Sequence, residues 1–121
     1  MRLSETYLLR AEAYFHKGDL ANAANDINVV RGRAQAKPVQ PGQISLDYIL
    51  DERIRELVVE EPRRKTLVRL NKLYERTMKY NFRVKDNMEP YHELWPIPQT
   101  AIDANTGAKL LQNPGYPGAA E

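Results

Sequence analysis

Apolar residues recur every three or four positions along most of the chain, and that period predicts helices. From Leu3 to Lys17 it falls on Leu3, Tyr7, Leu8, Ala11, Tyr14 and Phe15, with Ser4 as the expected cap. Gly18 and Asp19 interrupt it, Gly being the usual residue just past a helix end. A second helix is predicted from Leu20 to Gln35, facing inward with Leu20, Ala23, Ala24, Ile27, Val30 and Ala34. The small residues permit close approach, so residues 3–36 read as a helical hairpin.

Lys37 to Ser45, with its Pro, Pro-Gly and Ser, reads as a loop. From Leu46 the period returns on Leu46, Ile49, Leu50, Ile54, Leu57 and Val58, a third helix. Pro62 closes it or opens a fourth, because its ring is tolerated only in a first turn. That fourth helix is expected over residues 62–80, with Leu67, Leu70, Leu73, Tyr74 and Met78 inside. Residues 46–80 therefore form a second helix pair. After Asn81 the period is lost, and residues 81–121 read as an irregular, Pro-rich tail. Within it, Leu94–Pro98 (LWPIP) is extended by its two prolines with Leu94, Trp95 and Ile97 as apolar anchors, Gln99–Asn105 is a helical turn, and Gln112–Tyr116 (QNPGY) is an Asn-Pro-Gly turn ending in a packed aromatic.

The expected fold is all-α, with about four helices in hairpins. Ala11, Tyr14, Gly18, Asp19, Ala23 and Ala24 echo the tetratricopeptide arrangement of small and aromatic positions around a tight turn. One such unit buries only part of its surface and needs a neighbour.

The third helix also carries a charged ladder. Glu52, Arg53, Glu56 and Glu60 are spaced so that opposite charges meet across single turns, and Arg63, Arg64 and Arg69 are placed to return toward them. A solvated face of weak pairs is one reading, worth about 0–1 kcal/mol per pair. A partly buried network held by two-point arginine forks is the other. Both are structural.

The charge balance, 18 basic against 16 acidic residues in 121, mixes both signs along the helices and leaves no basic face for nucleic acid. Cysteine is absent, which excludes disulfides, thiolate zinc sites and a cysteine nucleophile. No apolar run approaches the roughly 20 residues that span a bilayer, and the N-terminus has no signal-peptide pattern, so the chain as given is expected to be soluble. His16 and His92 lie far apart without partners at metal-ligand spacing, so no metal is expected. The two serines, Ser4 and Ser45, lack a nucleophile elbow, and no Gly-rich phosphate loop is present. Arginines beside Glu52, Glu56 and Glu60 would depress their pKa values and unfit them as general acids. The residues point to a non-catalytic protein without a cofactor.

Binding is more promising, because sugar rings stack their C–H faces on Trp and Tyr. Tyr91 and Trp95 sit in the irregular segment where such a platform can form, with His92 and Tyr80 as weaker candidates. The competing reading makes Trp95, between Leu94 and Pro96, a packing anchor, and leaves Tyr91 open. Tyr7, Tyr14 and Tyr74 belong to helical stripes and are expected in the core.

ETYLLRAEAYFHKGD (Glu5–Asp19), INVVRGRA (Ile27–Ala34), DERIRELVVE (Asp51–Glu60), Arg63 with Leu67 and Arg69, LWPIP and QNPGY together resemble, in order, the C-terminal part of the RagB/SusD family, surface nutrient-binding lipoproteins of Bacteroidetes. The resemblance implies a tetratricopeptide-like scaffold decorated by loops, an outer-membrane, cell-surface setting, and oligosaccharide capture for a TonB-dependent, SusC-like transporter. It also implies that residues 1–121 are one C-terminal domain of a longer chain. Met1, directly before the first helix, reads as an artificial start, and self-association of the isolated chain is expected. This sequence departs from the family after the third helix: Glu60, Glu61, Pro62 and Arg63 replace the usual Glu-Gly-His-Arg, and Lys65 and Thr66 stand where an aromatic and an Asp are usual. The rival functional reading is a tetratricopeptide-type adapter that holds a peptide in its groove.

Overall fold

A computed structural model describes residues 2–119; Met1, the expected artificial start, lies outside them. As the periodicity predicts, the regular structure is helical: α1 (Leu3–His16), α2 (Leu20–Arg33), α3 (Leu46–Glu56), α4 (Arg63–Arg69), α5 (Leu73–Tyr80) and α6 (Gln99–Ala104), with 3-10 turns at Pro41–Gln43, Lys85–Asn87 and Pro90–Glu93. Among the described residues the one trace of β structure is an isolated bridge between Gln112 and Ala119. The chain divides into two compact units, Met1–Pro62 and Arg63–Glu121.

In the first unit the α1–α2 turn is set by Gly18, whose φ of +78° belongs to the left-handed region that glycine enters without cost. The Asp19 N–H then bonds Tyr14 O and the Gly18 N–H bonds Phe15 O, closing both carbonyls of the helix end. Asp19 immediately caps α2, accepting from the Asn22 N–H and side-chain amide at 3.1 and 2.7 Å. The Asn22 amide, and then its N–H, hold this carboxyl below its ordinary value. That contribution is therefore full above the ordinary carboxylate range and fades as pH falls through the depressed value.

Ser4 does not cap α1. The N-cap is Arg2, without a side-chain bond, and the Ser4 hydroxyl is buried without a partner inside the first turn.

The core forms where Leu8 and Ala11 of α1 meet Ala23, Ala24, Ile27 and Val30 of α2, closed by Ile49 of α3 and by Leu57. Leu8, Ala11, Ala23, Ile27 and Ile49 are wholly buried, and burying each Leu or Ile stabilises the fold by about 1.5–3 kcal/mol. Ala34, expected inside, is exposed because α2 ends one residue earlier. Val39 and Ile44 of the presumed loop are buried in the same core. Asn28 explains how: its amide donates to Val39 O at 3.0 Å while its carbonyl accepts the Val39 N–H at 2.8 Å. This two-point clamp lets an irregular segment enter apolar surroundings with its polar backbone satisfied.

The third helix is shorter than its apolar pattern, ending at Glu56. Ile54 and Val58, expected on the buried stripe, are exposed, and Val59 stands almost fully in solvent at φ +69°, a strained conformation for a β-branched residue. The turn through Val59 brings Glu61 back beneath α3, where Arg53 Nε donates to its carboxylate at 2.6 Å with side chains 3% and 1% exposed.

In the second unit the helix expected over residues 62–80 is two helices, α4 and α5. Asn71 divides them at φ +53°, with the Lys72 N–H bonded to Leu67 O and the Asn71 N–H to Val68 O. Asn is the residue that most readily replaces Gly at such a helix end. Leu67 and Leu73 are buried as expected, whereas Met78 is exposed.

Glu61→Ala should strand a buried guanidinium and lower stability by about 3–5 kcal/mol. Glu60→Ala, removing a half-exposed carboxylate, should cost no more than about 1 kcal/mol. Urea unfolding of the two variants followed by circular dichroism reads the contrast, and equal midpoints would contradict the buried pair.

A cavity beside Trp95 as the candidate functional site

The second unit builds its site from the segment with the least regular structure. Pro96 and Pro98 have no N–H to give a β-ladder, so the extended stretch Leu94–Pro98 needs other partners. The QNPGY turn supplies them. The Ile97 N–H donates to Gln112 Oε1 at 2.6 Å, and Gln112 Nε2 donates back to Ile97 O at 2.8 Å. Asn113 Nδ2 donates to Trp95 O at 2.7 Å, and the Tyr116 hydroxyl to Leu94 O at 2.9 Å. Three side chains from one turn thus hold three residues of the extended stretch.

The turn itself requires glycine. Gly115 has φ +87°, and a Cβ there would lie 2.3 Å from Cγ of Tyr91. Tyr91 packs against this backbone and edge-on to Tyr116, with ring centroids 4.9 Å apart. On the other side, Glu93 accepts the Tyr74 N–H at 3.1 Å, tying the Pro90–Glu93 turn to the first turn of α5, where an acidic group also suits the helix dipole.

These contacts separate the two candidate aromatics. Tyr91 is half-buried and serves packing. Trp95 is 71% exposed and is no packing anchor, and Leu94 beside it is exposed too. The backbone bonds hold the strand, so the indole is released from that task. Arg64 stacks on one Trp95 face at 4.2 Å, an exposed cation–π contact worth about 0.5–1 kcal/mol. Its Nη2 donates to His92 O at 2.7 Å, while its Nε is buried with no acceptor, a loss of about 1–3 kcal/mol for a neutral donor and more for a charged one.

Arg64, Val84, Met88, His92, Trp95 and Tyr116 are among the residues lining an open cavity of about 390 Å³, within the range of small-molecule clefts. His92, a weaker candidate on sequence, is on its wall. His92 Nδ1 accepts the Glu89 N–H at 2.8 Å, which leaves the ring proton on Nε2 when the imidazole is neutral. Tyr80 stands apart, exposed, with Arg76 and Lys79 over its ring. The sequence reading placed Arg64 with the acidic ladder, whereas it lies on Trp95 and His92 O. Tyr116 packs as expected for the last residue of QNPGY, and its hydroxyl bond to Leu94 O had no signal in the sequence.

The charged ladder lies in the first unit and pairs differently from its spacing. Glu52 accepts from Arg31 and Arg55, each at 2.7 Å. Glu56 accepts from Arg33 at 2.8 Å and Arg2 at 3.3 Å, and Arg2 also reaches Glu60 at 2.6 Å. Arg31 and Arg33 reach the ladder from α2 and Arg2 from the residue before α1, while Arg55 pairs from within α3. Arg63 and Arg69 stand at the two ends of α4, in the second unit. Also in the first unit, Tyr7 and Tyr14 are half-buried against the core, Tyr7 beside an apolar hollow lined by Leu3, Val29 and Val30. Tyr74 is likewise half-buried.

No described helix is long and apolar enough to cross a membrane, and among the described residues no cluster of His, Cys, Asp or Glu could hold a metal ion.

The all-α scaffold thus presents an exposed tryptophan beside an open cavity of small-molecule size. The chain belongs to the SusD family, whose pattern it matches over residues 1–116. It is 36% identical over 122 residues to the starch-binding protein SusD of Bacteroides thetaiotaomicron, covering 95% of this chain and 21% of that protein. It is 35% identical over 113 residues to the SusD-like protein P25 of Formosa agariphila, covering 86% of this chain and 21% of that one. The chain thus spans about a fifth of the length of these relatives. No solved structure matches it.

Gln112→Ala should free both polar groups of Ile97, so that its amide exchanges hydrogen markedly faster while amides of α1 and α2 keep their rates. Unchanged exchange at Ile97 would mean that the clamp does not hold the stretch. Gly115→Ala should be harsher, since a left-handed alanine alone costs about 1–2 kcal/mol before the overlap with Tyr91 is added; a lowered melting temperature is the readout.

Proposed function

We propose that this chain is a helical domain of a cell-surface glycan-capture protein, mainly scaffold, which also contributes the Trp95 cavity to saccharide binding. Its indole carries the proposal, because it is 71% exposed at the cavity with Arg64 over its ring, which suits stacking by the C–H face of a sugar. The starch-binding role named for the Bacteroides relative supports the ligand class, although that relative is almost five times longer than the match. In a protein of that length the chain acts as a single domain without catalysis, at the outer membrane, handing oligosaccharide to a TonB-dependent transporter. The α1–α2 hairpin and its ion pairs supply rigidity. Tyr91, expected on sequence to touch ligand, acts in this reading through its packing on Gly115 and Tyr116.

Gel electrophoresis through matrices carrying starch and other soluble polysaccharides tests the binding role. At least one matrix should retard the chain, and Trp95→Ala should weaken that retardation by about two- to tenfold, while Tyr80→Ala leaves it unchanged. Retardation untouched by Trp95→Ala would move the ligand elsewhere; none in any matrix would leave the scaffold role alone.

A further inference from the structure

The lining of the same cavity also bears on charge selectivity, which rests on the cavity being the saccharide site proposed above. It includes the guanidinium of Arg64, the amide of Asn87, the imidazole of His92 and the indole of Trp95, and among the described residues no Asp or Glu lines it. Arg64 is held by a carbonyl and a ring: Nη2 donates to His92 O, Cζ lies 4.2 Å from the Trp95 centroid, and Nε has no acceptor. His92 has Nδ1 occupied by the Glu89 N–H, so its Nε2 is a donor. Glu93, next in sequence, is committed to the Tyr74 N–H. The wall therefore offers a positive charge and several N–H donors, with the Asn87 carbonyl and the Tyr116 hydroxyl as its neutral acceptors and no anionic group among the described residues, together with the apolar surfaces of Val84, Met88 and Pro96.

A neutral hexose presents hydroxyls that both give and accept, and would leave the Arg64 charge uncompensated. A ring bearing a carboxylate accepts from Arg64 and His92 while its C–H face lies on Trp95. We infer that the Trp95–Arg64 cavity is selective for acidic saccharides, those whose rings carry a uronic-acid carboxylate. Specificity here comes from an ionic hydrogen bond that a neutral ring lacks, and stacking supplies the rest.

Trp95 is the chain's single tryptophan, so its fluorescence reports this cavity without interference from other indoles. Titration with a galacturonate trisaccharide should change the emission saturably. The neutral galactose trisaccharide should bind about ten- to a hundredfold more weakly. The preference should shrink as ionic strength rises and vanish in Arg64→Met, which keeps the apolar stem and removes the charge. Should that variant fail to fold by circular dichroism, Arg64→Lys retains the charge without the planar fork, and the acid-to-neutral ratio should fall without disappearing. Equal affinity for the two trisaccharides overturns the inference while leaving glycan binding intact. So does an acid preference unchanged in either Arg64 variant. Absence of any response to both sugars overturns it as well, and the polysaccharide gels then decide separately whether the chain binds glycan elsewhere.

Discussion

Two prolines separated by one residue set the problem that the second unit solves. Pro96 and Pro98 stiffen the backbone and remove alternate donors, so Leu94–Pro98 stays extended yet enters no ladder. Its carbonyls and the Ile97 N–H still require partners. Gln112, Asn113 and Tyr116 provide them, and their supply depends on the Gly115 turn, which depends in turn on the ring of Tyr91 packed against it. The first unit meets the same need in the same way, with Asn28 giving and taking one hydrogen bond each with Val39. In both places a side-chain amide acts as a one-residue strand.

Helix lengths follow from where the backbone can turn left-handed. Gly18, Gln35 and Asn71 each follow a helix at φ between +53° and +78°, and each is accompanied by the paired backbone bonds that close a helix end. Only the first is glycine. That explains why the α1–α2 hairpin was legible from its pattern while the break between α4 and α5 was not: the apolar period runs on through Leu70 and Leu73, and Asn71 is a weaker signal than Gly. The end of α3 was still harder to read, because Val59 adopts a conformation that its side chain disfavours, and no propensity argument selects it.

Charge and aromatic chemistry were legible as residue types but not as partners. Spacing on α3 groups Glu52, Glu56 and Glu60 with neighbours on their own helix, yet Arg31, Arg33 and Arg2 reach them from α2 and the start of the chain. Local periodicity carries no information about which separate segment arrives. The deeply buried pair, Arg53–Glu61, uses the carboxylate beside Glu60 because the Val59 turn decides which glutamate points inward. Trp95 departs from the packing role its neighbours suggest for a related reason. A tryptophan between Leu and Pro is a packing anchor when its strand depends on side-chain burial to stay in place; here side-chain hydrogen bonds to the backbone hold the strand, and burial of the ring is not needed.

That substitution of hydrogen bonding for burial has a consequence for recognition. An exposed indole forgoes the large apolar contribution that burying it would add to folding, and it can be kept in one orientation only if its backbone is fixed independently. Four hydrogen bonds from three side chains fix Leu94, Trp95 and Ile97, while Arg64, tethered to His92 O, steadies one face of the ring. A ring held in this way loses little conformational freedom when a ligand stacks on its open face, so a larger part of the contact energy remains as affinity. Scaffold and proposed site are then coupled: the turn that satisfies a proline-rich extended segment also keeps its tryptophan exposed in one orientation.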